Sequence, residues 1–323
     1  MSSGGAHGGR AYLARQAARS AAREGAALLV CAAVRARIDG AGVVVTGASS
    51  GIGREIAAQL APRVGALALV ARRRERLDEL AAELRGRHPG LAVHVVPCDL
   101  GDLAATRALA PALVAALGEV DVLINNAGLG KMGLFDRSTL GDQLGMIDVN
   151  VTSLVTLTHA LLPGMVARGR GGVLNVSSGF GMTFAPGFAT YVGTKHFVTG
   201  FSEALRLELA GTGVVVTQVC PGPVATEFEE VAGNYTGRPI PSVVQISAAQ
   251  CAAASIAGLE RGKAIVYPGA LLKVGMALLP LAPRWLQRAA LTGSARWLRA
   301  REEQLAAAPA TDPSAPVTGA GQP

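Results

Sequence analysis

Apolar residues along the chain fall into two alternating textures. Short runs that are apolar at nearly every position are each followed by a longer stretch in which apolar residues recur every three or four positions. The runs predict strands at Val43–Val45, Leu67–Val70, Ala92–Val96, Val120–Ile124, Val173–Val176, Val214–Val219 and Ala264–Val266. The intervening stretches predict helices from about Gly51 to Arg63, at Leu103–Leu117, from about Gly141 to Ala167, from about Ala189 to Ala210 and near Ala248 to Leu259. Another helix is marked by Leu77, Leu80, Ala81 and Leu84 on one face. A strand that is apolar throughout is buried on both faces, which implies a parallel sheet covered by helices. The expected fold is therefore α/β: a single Rossmann-type doubly wound parallel sheet of about seven strands, with helices on both faces, over residues 41–267. Ligands of such sheets sit beyond the carboxyl ends of the strands, where strand order reverses. The residues that follow each strand are thus the ones to inspect.

Both ends of the chain depart from this alternation. Residues 1–40 form a basic extension in which Arg10, Arg15, Arg19 and Arg23 precede an uncharged run from Gly25 to Val34. That run is too short to span a bilayer, so the extension reads either as an appended segment or as a targeting segment. At the other end, residues 268–304 are expected to form an amphipathic helical extension. Its stretch from Leu271 to Leu291 mixes aliphatic residues and Trp285 with Lys273, Arg284 and Arg288, interrupted by Pro280 and Pro283. It reads as a lid, a partner-binding face or an interfacial anchor. Residues 305–323, rich in Ala, Pro, Thr and Gly, are expected to be a disordered tail.

Half of the 323 residues are apolar and only 16% are charged, which provides a large core and excludes a disordered chain. The formal net charge of +7 raises the question of a polyanionic partner. The charge is not on the body: residues 41–280 hold 19 basic and 18 acidic side chains, while residues 1–40 carry six Arg against Glu24 and Asp39. No nucleic-acid-binding face is expected on the fold, and peripheral membrane contact through the ends stays open. Cys31, Cys98, Cys220 and Cys251 are far apart and the histidines are scattered, so neither a disulfide framework nor a metal site is expected. Reduced thiols point to a cytoplasmic protein.

Chemistry gathers at the strand ends. After the first strand comes Thr46-Gly47-Ala48-Ser49-Ser50-Gly51-Ile52-Gly53, a glycine-rich turn opening a helix. Glycines there allow close approach of a pyrophosphate to free helix-start N–H groups. After the second strand, Ala71 stands where an acid would receive a ribose 2′-hydroxyl, and Arg72, Arg73 and Arg74 follow. Arg72 favours a 2′-phosphate and hence NADP, with NADPH preferred over NADH. Asp99 after the third strand either accepts a hydrogen bond from adenine or caps the next helix. Asn125-Asn126-Ala127-Gly128 follows the fourth strand, and Ser178 closes the fifth. Tyr191 and Lys195, four apart on a helix, share one face. A tyrosine ordinarily titrates near 10, so a proton-transfer role calls for a fixed positive charge to favour the phenolate.

Taken jointly, the turn at Thr46, the N-N-A-G at Asn125, Asn150 on a helix, Ser178, the Y-x-x-x-K at Tyr191 and the Pro221-Gly222 segment ending in Thr226 resemble the short-chain dehydrogenase/reductase family over roughly residues 41–267. The resemblance implies an NADP-dependent hydride transfer between nicotinamide and a carbonyl or secondary alcohol. Tyr191 would be the general acid or base. Lys195 would hold the nicotinamide ribose and lower the tyrosine pKa, Ser178 would hold the substrate oxygen, and Asn150 would position a water joining Lys195 to solvent. It further assigns Gly47, Ser49, Ser50, Gly51, Ile52 and Gly53 to the phosphate turn, Asp99 and Leu100 to the adenine, and Asn126, Ala127 and Gly128 to the adenosine side. Pro221, Gly222, Val224 and Thr226 would flank the nicotinamide, and Glu227 to about Ser247 would be a mobile substrate loop. Extended members similar to this chain act on lipophilic compounds such as steroids, retinoids or 3-oxoacyl groups. Phe180, Met182, Phe184 and Phe188 are either an apolar wall for such a substrate or core packing. The family often assembles as homodimers or homotetramers through the two long helices that precede and contain Tyr191. A non-catalytic cofactor-binding scaffold is the alternative from another class, and an epimerase or dehydratase the alternative within enzymes.

Overall fold

The computed structural model describes residues 35–233, 245–278 and 281–307. The N-terminal targeting question, most of the expected substrate loop and the tail beyond residue 307 fall outside the described residues.

Seven strands form one sheet: β1 (Gly42–Thr46), β2 (Ala66–Ala71), β3 (Ala92–Pro97), β4 (Val122–Asn125), β5 (Gly171–Val176), β6 (Val214–Val219) and β9 (Ile265–Val266). Their order is β3-β2-β1-β4-β5-β6-β9, and every neighbouring pair is parallel. The expected doubly wound sheet is therefore present. The chain runs outward from β1 to β3 and returns to place β4 on the other side of β1. The ligand crevice of the fold thus opens between β1 and β4.

Consecutive side chains of a strand point to opposite faces, which explains why these strands are apolar throughout. Val43 and Val45 pack on one side with Ile56 and Leu60 of α1 (Gly51–Leu60), Leu77, Leu80 and Leu84 of α2 (Arg74–Arg87), and Leu259 of α8 (Ala248–Glu260). Val44 packs on the other side with Leu109 and Leu113 of α3 (Leu103–Leu117), Leu157, Leu161 and Met165 of α5 (Ser153–Ala167), and Leu205 of α6 (Ala189–Glu208). Leu80 and Leu113 are fully buried, and truncating either to Ala would cost about 3 kcal/mol. Ala36 and Ile38 are buried in the first of these clusters, so the packed body begins ahead of Ala41.

The long helix expected from Gly141 to Ala167 is interrupted. It consists of α4 (Leu140–Ile147), a π-helical turn at Asp148–Thr152, and α5. By length and composition this stretch could cross a bilayer, yet Leu154, Leu157, Leu161 and Met165 are buried against the sheet, as in a core helix. The π turn admits one extra residue and turns Asn150 inward, where it is buried.

One further feature was not foreseen, and the helical extension expected over residues 268–304 takes the form of two helices, the second running to Ala307. Two-residue strands β7 (Val224–Ala225) and β8 (Ile246–Ser247) pair in parallel, with the short α7 (Phe228–Ala232) following β7. Helix α9 (Ala270–Leu278) places Leu272 within 3.4 Å of the position a Gly222 Cβ would take, and Met276 within 3.6 Å of that for Gly179. Helix α10 (Arg284–Ala307) docks on the segment after β4: Glu302 Oε1 accepts from Leu134 N at 3.0 Å, and Arg299 forks onto both oxygens of Asp136 at 3.0 Å.

Candidate active site

The first wall of the crevice is the turn between β1 and α1. Gly47 and Gly51 have φ of +67° and +56°, a region that side chains rarely adopt. A Cβ on Gly53 would fall inside contact distance of Asn126 Nδ2 and the Gly47 carbonyl oxygen. Ser50 precedes α1 without a side-chain cap hydrogen bond, and the first turn holds no acid, so its N–H groups are suited to an anion. Ile52 is the second residue of that helix. Thr226 closes over this turn, its Cγ2 being 3.1 Å from where a Gly51 Cβ would stand. These are the features a dinucleotide pyrophosphate requires, and the residues present fit the group.

Thr46 and Asn126 join the turn to the end of β4. The Thr46 hydroxyl donates to Ile124 O at 3.2 Å and accepts from the N–H groups of Asn126 and Ala127, both at 3.0 Å. Asn126 Nδ2 returns a bond to Thr46 O at 2.9 Å. The side chain of Asn126 thus builds the crevice wall.

At the far end of the crevice, Asn150, Tyr191, Thr194 and Lys195 are all buried. Asn150 is engaged on every side it presents: Oδ1 accepts from Leu129 N at 2.8 Å, and Nδ2 donates to Leu129 O at 2.8 Å and to Thr194 Oγ1 at 3.0 Å. Thr194 in turn donates to Tyr191 O at 2.7 Å. Lys195 Nζ donates to Val176 O at 2.9 Å and lies 5.7 Å from the Tyr191 ring centroid. Gly128 leaves room beside this group, since a Cβ there would stand 3.5 Å from Lys195 Nζ and 3.6 Å from Asn150 Oδ1. Ser178 Oγ accepts from Phe180 N at 3.1 Å, and Gly179 N donates to Pro221 O at 2.7 Å, which ties the Ser178 turn to the Pro221-Gly222 segment.

Burial dominates the proton affinities here. It pushes the Tyr191 phenol up to about 12, partly offset by the Ser178 hydroxyl, and brings the Lys195 ammonium down to about 8. The lowering of the phenol that the resemblance implies calls on Lys195 together with the nicotinamide, and in the chain alone burial sets the direction. The Cys220 thiol, also buried, is pushed up to about 11, so it is no thiolate at neutral pH.

The aromatic residues enclose the phenol. Phe180 and Phe188 stand 6.3 Å and 6.0 Å from the Tyr191 ring, and Phe228 of α7, unnoticed in the sequence, stands 5.5 Å away. Met182 is exposed and Phe184 only half-buried, so neither is simple core packing.

The basic cluster after β2 is divided. All three arginines are exposed; Arg74 pairs with Asp78 on its own helix, whereas Arg73 Nη2 donates to Ser50 Oγ at 2.8 Å and Ser49 Oγ at 3.1 Å, and its Nη1 pairs with Glu227 at 3.0 Å. Arg76 also pairs with Glu227, and the two guanidinium groups hold that carboxyl below its ordinary pKa. Arg73 therefore reaches the phosphate turn more directly than Arg72. An arginine run carries no local signal of which member reaches the turn. Asp99 accepts from Gly101 N at 2.9 Å and leaves capping of α3 to Asp102, while Leu100 is buried beside it. Val224 lies in β7, buried.

The family model described as short chain dehydrogenase matches residues 41–234. The chain is 43% identical over 188 residues to sulfoacetaldehyde reductase from Chromohalobacter salexigens, covering 58% of this chain and 73% of that protein. Among solved structures, it resembles a short-chain dehydrogenase from Sphingobium yanoikuyae in complex with NADPH, with a TM-score of 0.66 and 32% identity over 85% of this chain and 98% of that one. A short-chain dehydrogenase/reductase from Burkholderia phymatum in complex with NAD matches with a TM-score of 0.66 and 26% identity, covering 75% and 93%.

Proposed function

The chain belongs to the short-chain dehydrogenase/reductase family, which makes it an NAD(P)-dependent oxidoreductase of carbonyl and alcohol groups, and we propose that it acts as an NADP-dependent reductase of apolar carbonyl compounds. The observation that carries this reading is the buried group of Tyr191 and Lys195 at the end of the crevice, with Ser178 and Asn150 beside it. A nicotinamide cofactor supplies the hydride when bound. The chain supplies the proton and the orientation. Tyr191, protonated across the neutral range, donates its phenolic proton to the substrate oxygen, and the Ser178 hydroxyl stabilises the charge developing there. Lys195, fixed by Val176 O, keeps two hydrogens with which it would hold the cofactor ribose. Asn150, already engaged with Leu129 and Thr194, acts by positioning the helix that carries Tyr191.

NADP preference is supported by the absence of an acid at Ala71 and by Arg72 and Arg73, the latter already on the serines of the phosphate turn. A lipophilic substrate is supported by the aromatic enclosure of Tyr191 and by Leu272 and Met276 of α9 beside the Ser178 turn. Assembly through α4 to α6 as a homodimer or homotetramer is supported by exposed Leu140, Leu144, Phe197 and Leu207, and a cytoplasmic setting by the free Cys98, Cys220 and Cys251. The test is loss of NADPH absorbance with a panel of steroid ketones, apolar aldehydes and 3-oxoacyl thioesters, with sulfoacetaldehyde as the polar contrast. Turnover of the apolar members with NADPH, and far less with NADH, is expected. Preference for the sulfonated aldehyde, or for NADH, would overturn the reading.

A further inference from the structure

Helix α9 has apolar residues on two sides. Leu272 and Met276 face inward, against Gly222 and Gly179. Leu271, Val274 and Leu278, spaced three and four residues apart, are 62%, 56% and 57% exposed. Beyond it, Leu281 is 76% exposed and Trp285 is 68% exposed, followed by Leu286 on α10. Large apolar side chains this exposed, grouped along one stretch, mark a surface that meets something other than water.

The charges around them identify the partner. Between Pro268 and Leu298 the charged residues are Lys273, Arg284, Arg288 and Arg296, with no acid. Another exposed apolar group, Leu140, Leu144, Phe197 and Leu207 on α4 and α6, is instead accompanied by Lys131, Asp142 and Glu208, the first two paired at 4.0 Å. A mixed-charge face can complement its own copy, because a two-fold contact sets opposite charges together. The all-cationic face would set like charges together. Aliphatic residues, a tryptophan and unopposed cations match the interfacial layer of an anionic bilayer, where apolar groups enter the acyl boundary and cations meet lipid phosphates.

We propose that the outer face of α9 and the start of α10, centred on Leu271, Val274, Leu278 and Trp285 with Lys273, Arg284 and Arg288, docks the protein on an anionic membrane surface. One side of α9 then rests against the Ser178 and Pro221-Gly222 segments while the other rests on lipid. An apolar substrate dissolved in the bilayer would reach the crevice without crossing water. The docking itself does not depend on which substrate is turned over.

Co-sedimentation of the full chain with vesicles of phosphatidylcholine alone, and with phosphatidylcholine mixed with phosphatidylglycerol, tests the proposal. Binding to the anionic vesicles is expected, weakening as salt rises. Both Lys273→Glu/Arg284→Glu/Arg288→Glu and Leu278→Glu/Trp285→Glu should reduce it on the order of tenfold or more, with NADPH affinity retained as evidence of folding. In the unaltered protein, brominated lipid should quench tryptophan emission, a readout that needs no variant. Absence of binding and of quenching would overturn the proposal. So would binding that survives both variants, which would place it on the basic residues 1–34. Loss of a lipid-independent dimer in Leu278→Glu/Trp285→Glu would show that the face meets a second copy instead.

Discussion

The two ends of the crevice hold charge in opposite ways. At the tyrosine end, Lys195 is buried, and Asn150 and Thr194 spend their hydrogen bonds on backbone and on each other. At the phosphate end, Arg73, Arg76 and Glu227 are joined by ion pairs whose side chains remain 39–43% exposed. A buried ammonium carries a solvation penalty, so its presence points to a chemical use and its surroundings must be rigid. Exposed pairs are worth little to the fold and exchange partners readily, which suits a site that must accept and release a phosphate. The reacting end is built for position and the binding end for exchange.

Apart from loss of the phenol itself, removing the buried charge should have the largest effect. Lys195→Met keeps the length of the side chain, and the chemical rate is expected to fall on the order of a thousandfold. Folding should not suffer. The solvation penalty on the ammonium is complete below about pH 8 and is relieved as pH climbs toward 10.5, so the variant should be at least as stable as the parent at neutral pH and lose that rise. Thermal melts across pH check the sign; a rise of stability with pH that persists in Lys195→Met would assign it to another group.

The positioning role comes next. Thr194→Val preserves volume but leaves Asn150 Nδ2 short of a partner. We expect kcat to fall roughly tenfold, in line with about 1–2 kcal/mol for an unmade buried bond, with KM little changed and Thr194→Ser restoring the rate. Equal losses in the Val and Ser variants would show that the methyl group, not the hydroxyl, matters.

Effects at the exposed end should be smaller and confined to binding. Arg73→Asp and Arg72→Asp should each weaken NADPH by roughly tenfold or less while leaving NADH nearly unaffected, with stability changed by no more than about 0.5 kcal/mol. Titration of both cofactors decides it, and equal losses for the two would remove the arginines from the phosphate site. Glu227→Gln should alter little beyond the rate of cofactor exchange.

Much of this contrast was legible in the sequence where the signal is local. Continuous apolar runs revealed the sheet, and Gly47, Gly51 and Gly53 revealed the turn, because both follow from backbone sterics at neighbouring positions. What escaped depends on distant partners or on very few residues. The π turn at Asp148–Thr152 adds one residue without breaking apolar periodicity. Strands β7 and β8 are two residues long, too short for any period. The fork of Arg299 onto Asp136 links positions 163 apart, and nothing in either neighbourhood announces the other. The roles of Thr46 and Thr194 likewise arise only once the strand ends and helices are assembled around them.

The central claim, that the buried phenol moves the proton, is tested most directly by single-turnover hydride transfer in Tyr191→Phe. Ring packing against Phe180, Phe188 and Phe228 is retained in this variant, and only the hydroxyl is lost. The account predicts a fall on the order of a thousandfold or more in the transfer step, with NADPH affinity within about twofold of the parent. A transfer rate within about tenfold of the parent would contradict it and move the proton to another group.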